Sequence, residues 1–389
     1  MSDTLYNQPI VIDNGSGNIR AGFAGDDRPK INYSNIIGSP KYTKVMPSSI
    51  SENDTFIGSK AQKLRGLLRL RYPISHGVVT NWNDMEDIWN EVITRLDCKA
   101  EEHPLSITEE PLNPRSNRTK MCETLFETFN FPTIHIAMPA VLSLYSTGRT
   151  SGTVVDCGDG VTTIAPVYEG FSIPGSIKRM NIGGRDITRY LQLELLRSGY
   201  CMSSSSEFEI VRSMKERLGF VLPDTNINGV GDSHEGKTRI NDFLMYDSTA
   251  KAREFKLPDD KVIKISEPAL SRPCELLFEP EAAGFEDIPV QDAIYWAITK
   301  TDTDLRGKLF ENIVLSGGST LFKNFGTRLL NELLKINKSV KMKIYASPDR
   351  KISCFVGGSI LASLSTFKNV SISKATYLED PYCIHHKFM

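Results

Sequence analysis

Missing features narrow the field before any present feature is weighed. The 389-residue chain holds 46 basic and 47 acidic residues, and its formal charge of -1 offers no bulk attraction to nucleic acid or to an anionic membrane surface. No run of about 18 apolar residues occurs, so no helix is expected to insert into a membrane. The seven cysteines (Cys98, Cys122, Cys157, Cys201, Cys274, Cys354 and Cys383) are odd in number, dispersed, and free of any C-x-x-C pair. That pattern argues for reduced thiols and against structural zinc. The opening segment MSDTLYNQPIVID has no basic region followed by an apolar stretch, so no secretory leader is read and a cytoplasmic location is expected. Neither G-x-x-x-x-G-K-[ST] nor G-x-G-x-x-G is present, the glycines at 15, 17 and 22 having the wrong spacing. A Walker loop and a dinucleotide fingerprint are thereby set aside.

What is there has the balance of a globular protein: 40% hydrophobic and 24% charged residues over a length that suggests two or three domains. Helical periodicity marks DMEDIWNEVITRL (84–96), with Ile88, Trp89, Val92, Ile93 and Leu96 on one face, and also RDITRYLQLELLRSG (185–199) and TLFKNFGTRLLNELLKI (320–336). The short apolar runs PIVID, TVVD, TIAPVY and NIVLS alternate with these helices, which predicts α/β layers with helix-covered sheets. From Pro223 to about Asp260 the chain is least regular, and its first part, PDTNINGVGDSHEG, is polar and turn-rich, as in an exposed loop or insertion.

An internal echo carries more information. VIDNGSGNIRAG (11–22) and VVDCGDGVTTIA (154–165) share V-[IV]-D-x-G-x-G, and a second echo, Gly-Gly-Ser after a short apolar run, occurs in VLSGGSTLF (314–322) and FVGGSILAS (355–363). Two related half-molecules facing each other across a cleft would produce such pairs. Glycine turns leave backbone N–H groups open to an approaching ligand, and consecutive N–H groups form a concave anion site. Two such turns would clamp a polyphosphate. Asp13 and Asp156 at the strand ends repel bare phosphate, so their place makes sense with Mg²⁺ between, held through its waters rather than directly. Taken singly, each turn reads equally well as an ordinary hairpin.

Beyond these motifs, the chain resembles the actin superfamily over nearly its whole length. VIDNGSG, AGFAGDD, RGLLRLRYPISHGVVTNWNDME, EEHPL, VLSLYSTGRTSG, GRDIT, SGGST, GGSILASL and HHK carry the resemblance. Within the superfamily, SSSEFEIVRSMKER (204–217) and NIVLSGGSTLFKNFGTRLL (312–330) look closer to the centractin branch, the actin-related protein of the dynactin filament, than to conventional actin.

The resemblance implies an α/β, two-lobed ATPase fold of duplicated ribonuclease-H-like domains with four subdomains. The outer lobe would take residues 1–147 and 353–389, with its small subdomain near 36–71; the inner lobe would take 148–352, with its small subdomain near 184–284. ATP or ADP with Mg²⁺ would lie between them. Asp13, Gly15, Ser16, Gly17 and Arg20 match the first phosphate loop, and Asp156, Gly158, Asp159, Gly160 and Val161 the second. Gly184, Arg185 and Asp186 match a ribose-side segment, Lys215 and Glu216 the nucleoside pocket, and Gly317, Gly318, Ser319, Leu321 and Lys351 the adenine side. His76 falls where actin has its modifiable histidine; read without the family it is a buried, hydrogen-bonded side chain.

Departures from the family are as telling. Pro139 and Thr163 stand where actin has the glutamine and histidine that position the hydrolytic water. Proline offers no side-chain acceptor, and threonine cannot relay a proton as imidazole does, so hydrolysis is expected to be slow. Pro139 also suits the first position of a helix. Arg20 replaces a lysine, keeping charge but changing geometry. The loop 41–55 matches actin's subunit-contacting loop and 272–286 its inter-strand plug, while Tyr145, Gly148, Ile360, Leu361 and Leu364 match a docking groove. The implied partners are further copies of the chain in a short filament, other dynactin subunits, dynein and cargo adaptors, with conventional actin a further candidate. A single acid before the first strand weakens a myosin-track reading.

Overall fold

The computed structural model describes residues 7–41, 54–223 and 252–387. In its first large sheet, β1 (Ile10–Asn14) pairs antiparallel with β2 (Asn18–Phe23), which pairs antiparallel with β3 (Ile31–Ser34). On its other side β1 runs parallel to β4 (Leu105–Thr108), and β4 parallel to β5 (Thr133–Ala137). The second large sheet repeats this. An antiparallel meander of β6 (Gly152–Cys157), β7 (Thr162–Tyr168) and β8 (Phe171–Ser172) continues through β6 to parallel β9 (Ile313–Ser316) and β10 (Ile344–Tyr345).

The spatial orders 3-2-1-4-5 and 8-7-6-9-10 follow one path with the same strand senses. The molecule is therefore a topological duplication, and the V-[IV]-D-x-G-x-G echo marks the first hairpin of each half. The central strands β1, β4, β6 and β9 are buried on both faces, as parallel strands covered by helices must be.

Of the apolar cores among the described residues, four define the lobes, a large and a small one in each. The largest two surround the sheets, one built on Ile12, Trp89, Ile107 and Phe126, the other on Val155, Ile164, Ile294 and Leu315. A small core of Ile36, Ala61, Leu68 and Leu70 sits on the first, and one of Leu195, Val211, Met214 and Ile265 on the second. The helix Pro139–Tyr145 joins the lobes, packing Ala140 and Leu144 against Val154 and Ala165, and Leu142 against Cys354. Proline occupies the first turn of that helix, where its absent N–H has no partner to lose. Beneath the cleft, the hydroxyls of Ser143, Ser316 and Ser353 form a buried triangle with edges of 2.9, 3.1 and 3.2 Å.

The amphipathic run 84–96 folds as the helix Trp82–Leu96, started by the Asn81 side chain accepting from the Asp84 N–H at 3.2 Å. Its Met85, Ile88, Trp89, Val92 and Leu96 are buried, while Ile93 is only partly so.

Three expectations need correction. The run 320–336 is two elements, a 3-10 turn Gly318–Leu321 and a helix Phe325–Ile336, because Asn324 takes a left-handed conformation with φ 68° that interrupts the helix. The stretch ending at Asp260 is not all loop: Ala252–Lys256 and Val262–Ser266 form an antiparallel hairpin whose Phe255, Ile263 and Ile265 are buried. The second echo is not structural either. Gly317 and Gly318 follow β9 into the cleft, whereas Gly357 and Gly358 lie inside the helix Ser353–Ser363, where they let it approach Leu142 and Val11.

Of the surface regions, 272–286 is no simple loop, since Leu276, Leu277 and Phe278 are buried in the inner core. Ile360 and Leu364 are exposed by 43% and 50%, so they are not core residues. Most of the loop 41–55 and residues 224–251 fall outside the described residues. Among the described residues no helix is long and apolar enough to cross a membrane.

Candidate functional site

The carboxyl ends of β1, β4, β6 and β9 converge on a cleft of about 260 Å³. Ligands of open α/β sheets bind at such ends, where strand connections diverge. Its walls take Asp13, Gly15, Ser16, Gly17 and Arg20 from one half, and Asp156, Gly158, Asp159, Gly160 and Val161 from the other. Lys215, Glu216, Gly317, Gly318, Ser319, Leu321 and Lys351 complete the predicted lining. Gly184, Arg185 and Asp186 stand behind it.

The two hairpin turns touch. A Cβ on Gly17 would lie 2.6 Å from the Asp159 Cβ, and one on Gly160 would lie 2.6 Å from the Ser16 Oγ. No larger residue fits either place without prising the halves apart. Arg185 ties the turns together from behind, donating at 3.1 Å to the Ser16 carbonyl and to Asp159 Oδ2. Asp186 caps its own helix by accepting from the Gly183 N–H at 3.0 Å. Lys215 Nζ donates to the Gly184 carbonyl at 2.6 Å, and Ser319 Oγ to the Gly158 carbonyl at 3.0 Å. His76 Nδ1 sits 2.9 Å from the Gly160 carbonyl, which matches its reading as a hydrogen-bonded side chain, but the residue is only half-buried and not fully buried as expected.

Asp13 is buried and paired with Arg20 Nη1 at 2.5 Å, with Thr108 Oγ1 donating at 3.4 Å. Burial, then the charge of Asp13, raises the pKa of Asp156 to about 6. Burial also pushes Asp159 up, but Arg212, Arg185 and Lys215 outweigh it and hold this carboxyl below its ordinary value.

The lining fits an anionic nucleotide with a hydrated cation. The glycine turns form the cradle, and the buried Asn14 Oδ1 and Arg20 Nε lack partners. Asp13 and Asp156 raise each other's need for positive charge. Among the described residues no three His, Cys, Asp or Glu side chains converge as a metal shell, so a cation here would take its other ligands from water and phosphate.

Several lining residues were not among the predicted site residues, among them Asn14, Asn18, Thr108, Glu110, Arg212, Phe322 and Cys354. Arg212 donates to Asn18 Oδ1 at 2.9 Å, linking the lobes. Glu110 is the most consequential. Two successive acids directly after an apolar strand were the available signal.

Burial, then the charge of Asp156, raises the Glu110 carboxyl from its ordinary 4.5 to about 8. Within that window the folded protein keeps a proton that the unfolded chain has released. Stability of the nucleotide-free protein is therefore full below the ordinary value and declines as pH rises through about 8, by up to about 1.4 kcal/mol per unit. Thermal midpoints of wild type and E110Q across that range should show the decline flattened in the variant; equal slopes would assign it elsewhere.

A duplicated α/β protein with paired glycine hairpins and strand-end carboxylates across one cleft defines a two-lobed nucleotide-cleft class. The family model described as Actin matches residues 4–389. A protein named "Actin-like protein" from Neurospora crassa is 48% identical over 391 aligned residues, covering 100% of both chains. The chain belongs to the actin family, whose members generally bind ATP or ADP with a divalent cation and self-associate into filaments.

Proposed function

We propose that this is an ATP- or ADP-binding actin-related protein that builds the short filament scaffold of dynactin and serves dynein-driven movement along microtubules, such as nuclear or spindle positioning. The observation that carries the nucleotide reading is the meeting of two glycine hairpins, with Asp13 and Asp156 at the carboxyl ends of β1 and β6. A polyphosphate held there accepts backbone N–H bonds from both halves, and Mg²⁺ supplies the charge that offsets the two carboxylates. Gly184, Arg185 and Asp186 support the turns rather than the ribose directly. The dynactin assignment rests on the resemblance of segments 204–217 and 312–330. The exposed apolar Ile360 and Leu364, beside Leu361, Tyr145 and Gly148, support a docking groove for the next subunit or a partner.

Turnover is slow in this reading. Pro139 lines the cleft without a side-chain acceptor, and the hydroxyl of Thr163 is engaged with Glu110. Phosphate release from filaments should be about 100-fold slower than that of actin, or slower still. Release as fast as actin's, together with myosin binding, would favour the second reading, a divergent conventional actin, which the same cleft and groove also suit. Purification of the native complex separates the cellular roles. Dynactin subunits with dynein and cargo adaptors are the expected company; chromatin-remodelling enzymes would overturn the assignment.

A further inference from the structure

We propose that Glu110 takes a proton from the water that attacks the terminal phosphate of a bound nucleoside triphosphate, and so carries the slow turnover. The inference rests on the nucleotide reading and deepens it at one atom.

Glu110 lies just beyond β4, in the cleft wall with Thr108, Pro139, Asp156 and Val161. Its Oε2 accepts from Thr163 Oγ1 at 3.3 Å. Thr163, only 2% exposed, is the cross-strand partner of Asp156 in the inner hairpin, so the bond spans the two lobes. From the other side, the backbone of Gly77 presses on the same chain: a Cβ there would stand 2.9 Å from the Glu110 Cγ. Oε1 has no protein partner among the described residues.

The adjacent acid shows the contrast. Glu109 is buried and neutralised by Arg118 at 2.6 Å, as a structural carboxylate should be. Glu110 makes no ion pair among the described residues. One oxygen is pinned and one is open, on a group held at the carboxyl ends of the strands. Pro139 has no side-chain acceptor to compete, and Thr163 donates its hydroxyl to Glu110, which makes Thr163 a positioning residue.

In the step itself, a water lone pair forms the new O–P bond and the water proton passes to Glu110 Oε1. The bridging P–O bond breaks with its electron pair on the nucleoside diphosphate, and Glu110 returns its proton to solvent. The products are the nucleoside diphosphate, inorganic phosphate and one proton. In its ionised form, reached as pH rises through about 8, Glu110 also repels the terminal phosphate, which gives a readout independent of turnover.

Above pH 8, where Glu110 is ionised, wild type, E110Q and T163V are to be compared by single-turnover phosphate release, by equilibrium affinity for ATP and for ADP, and by thermal midpoint. E110Q is expected to slow release at least about 100-fold while its ATP affinity rises several-fold relative to ADP. T163V should lose part of the rate with little change in that ratio. Release by E110Q at the wild-type rate, an unchanged ATP-to-ADP ratio, or no release by wild type would each overturn the assignment. Failure of wild type to bind either nucleotide would instead overturn the nucleotide reading on which it stands. E110D, which keeps the charge on a shorter arm, serves as the second variant; recovery of part of the rate is expected there and none would count against Glu110 as the base.

Discussion

Replacing Gly317 by alanine is expected to weaken nucleotide binding at least about 100-fold. Gly317 follows β9 with φ 85° and ψ 156°, a region in which a side chain costs about 1–3 kcal/mol. Space is the larger obstacle. The new Cβ would stand 2.3 Å from the Cys157 carbonyl oxygen and 2.6 Å from Asp156 Oδ1. A backbone oxygen still paired at the end of a central strand cannot swing aside, so β6 and β9 must part where both meet the cleft. Asp156 and the inner glycine turn would move with them. Gly307, in the helix Thr303–Glu311 and outside the cleft lining, is the control, since nothing lies within 4 Å of its ideal Cβ and G307A should bind as wild type does. Titration with a fluorescent ATP analogue checks both; equal affinities for the two variants would show that the end of β9 does not shape the binding wall.

Gly357→Ala should destabilise the fold by about 3 kcal/mol, against the usual sign for a helix interior. Alanine inside a helix ordinarily gains about 1 kcal/mol over glycine. Here the added Cβ would lie 1.7 Å from the Leu142 carbonyl oxygen and 2.5 Å from its carbon. The helices Ser353–Ser363 and Pro139–Tyr145 meet backbone to backbone at this point, so the joint between the lobes must open. In the helix Phe325–Ile336, Gly326 has only the Leu315 Cδ1 at 3.8 Å, and G326A should be neutral or stabilising. Opposite shifts in thermal midpoint are expected, and a stabilised G357A would show that the two helices are not held at this distance.

These contrasts explain how legible the molecule was. The helix over 84–96 was readable because its periodicity spans four turns and its cap lies next to it. The paired hairpins were readable because turn glycines and strand-end acids act within a few residues. The Gly-Gly-Ser likeness misled for the same reason: a glycine pair looks alike whether it opens a cleft, as at 317–318, or admits a neighbouring helix, as at 357–358. Asn324 interrupted an otherwise continuous apolar stripe, since periodicity records which face is buried and not where φ turns positive.

By itself, the sequence determined the α/β class, the duplicated hairpins and most of the cleft lining, because each is written in short local patterns. Tertiary structure alone decided that Glu110 meets Thr163 across 53 positions of chain and that three serines close beneath the cleft. Those contacts depend on how four separate cores pack and on the distance at which two lobes come to rest. No local pattern encodes that distance, which is set by the summed fit of side chains far apart along the chain.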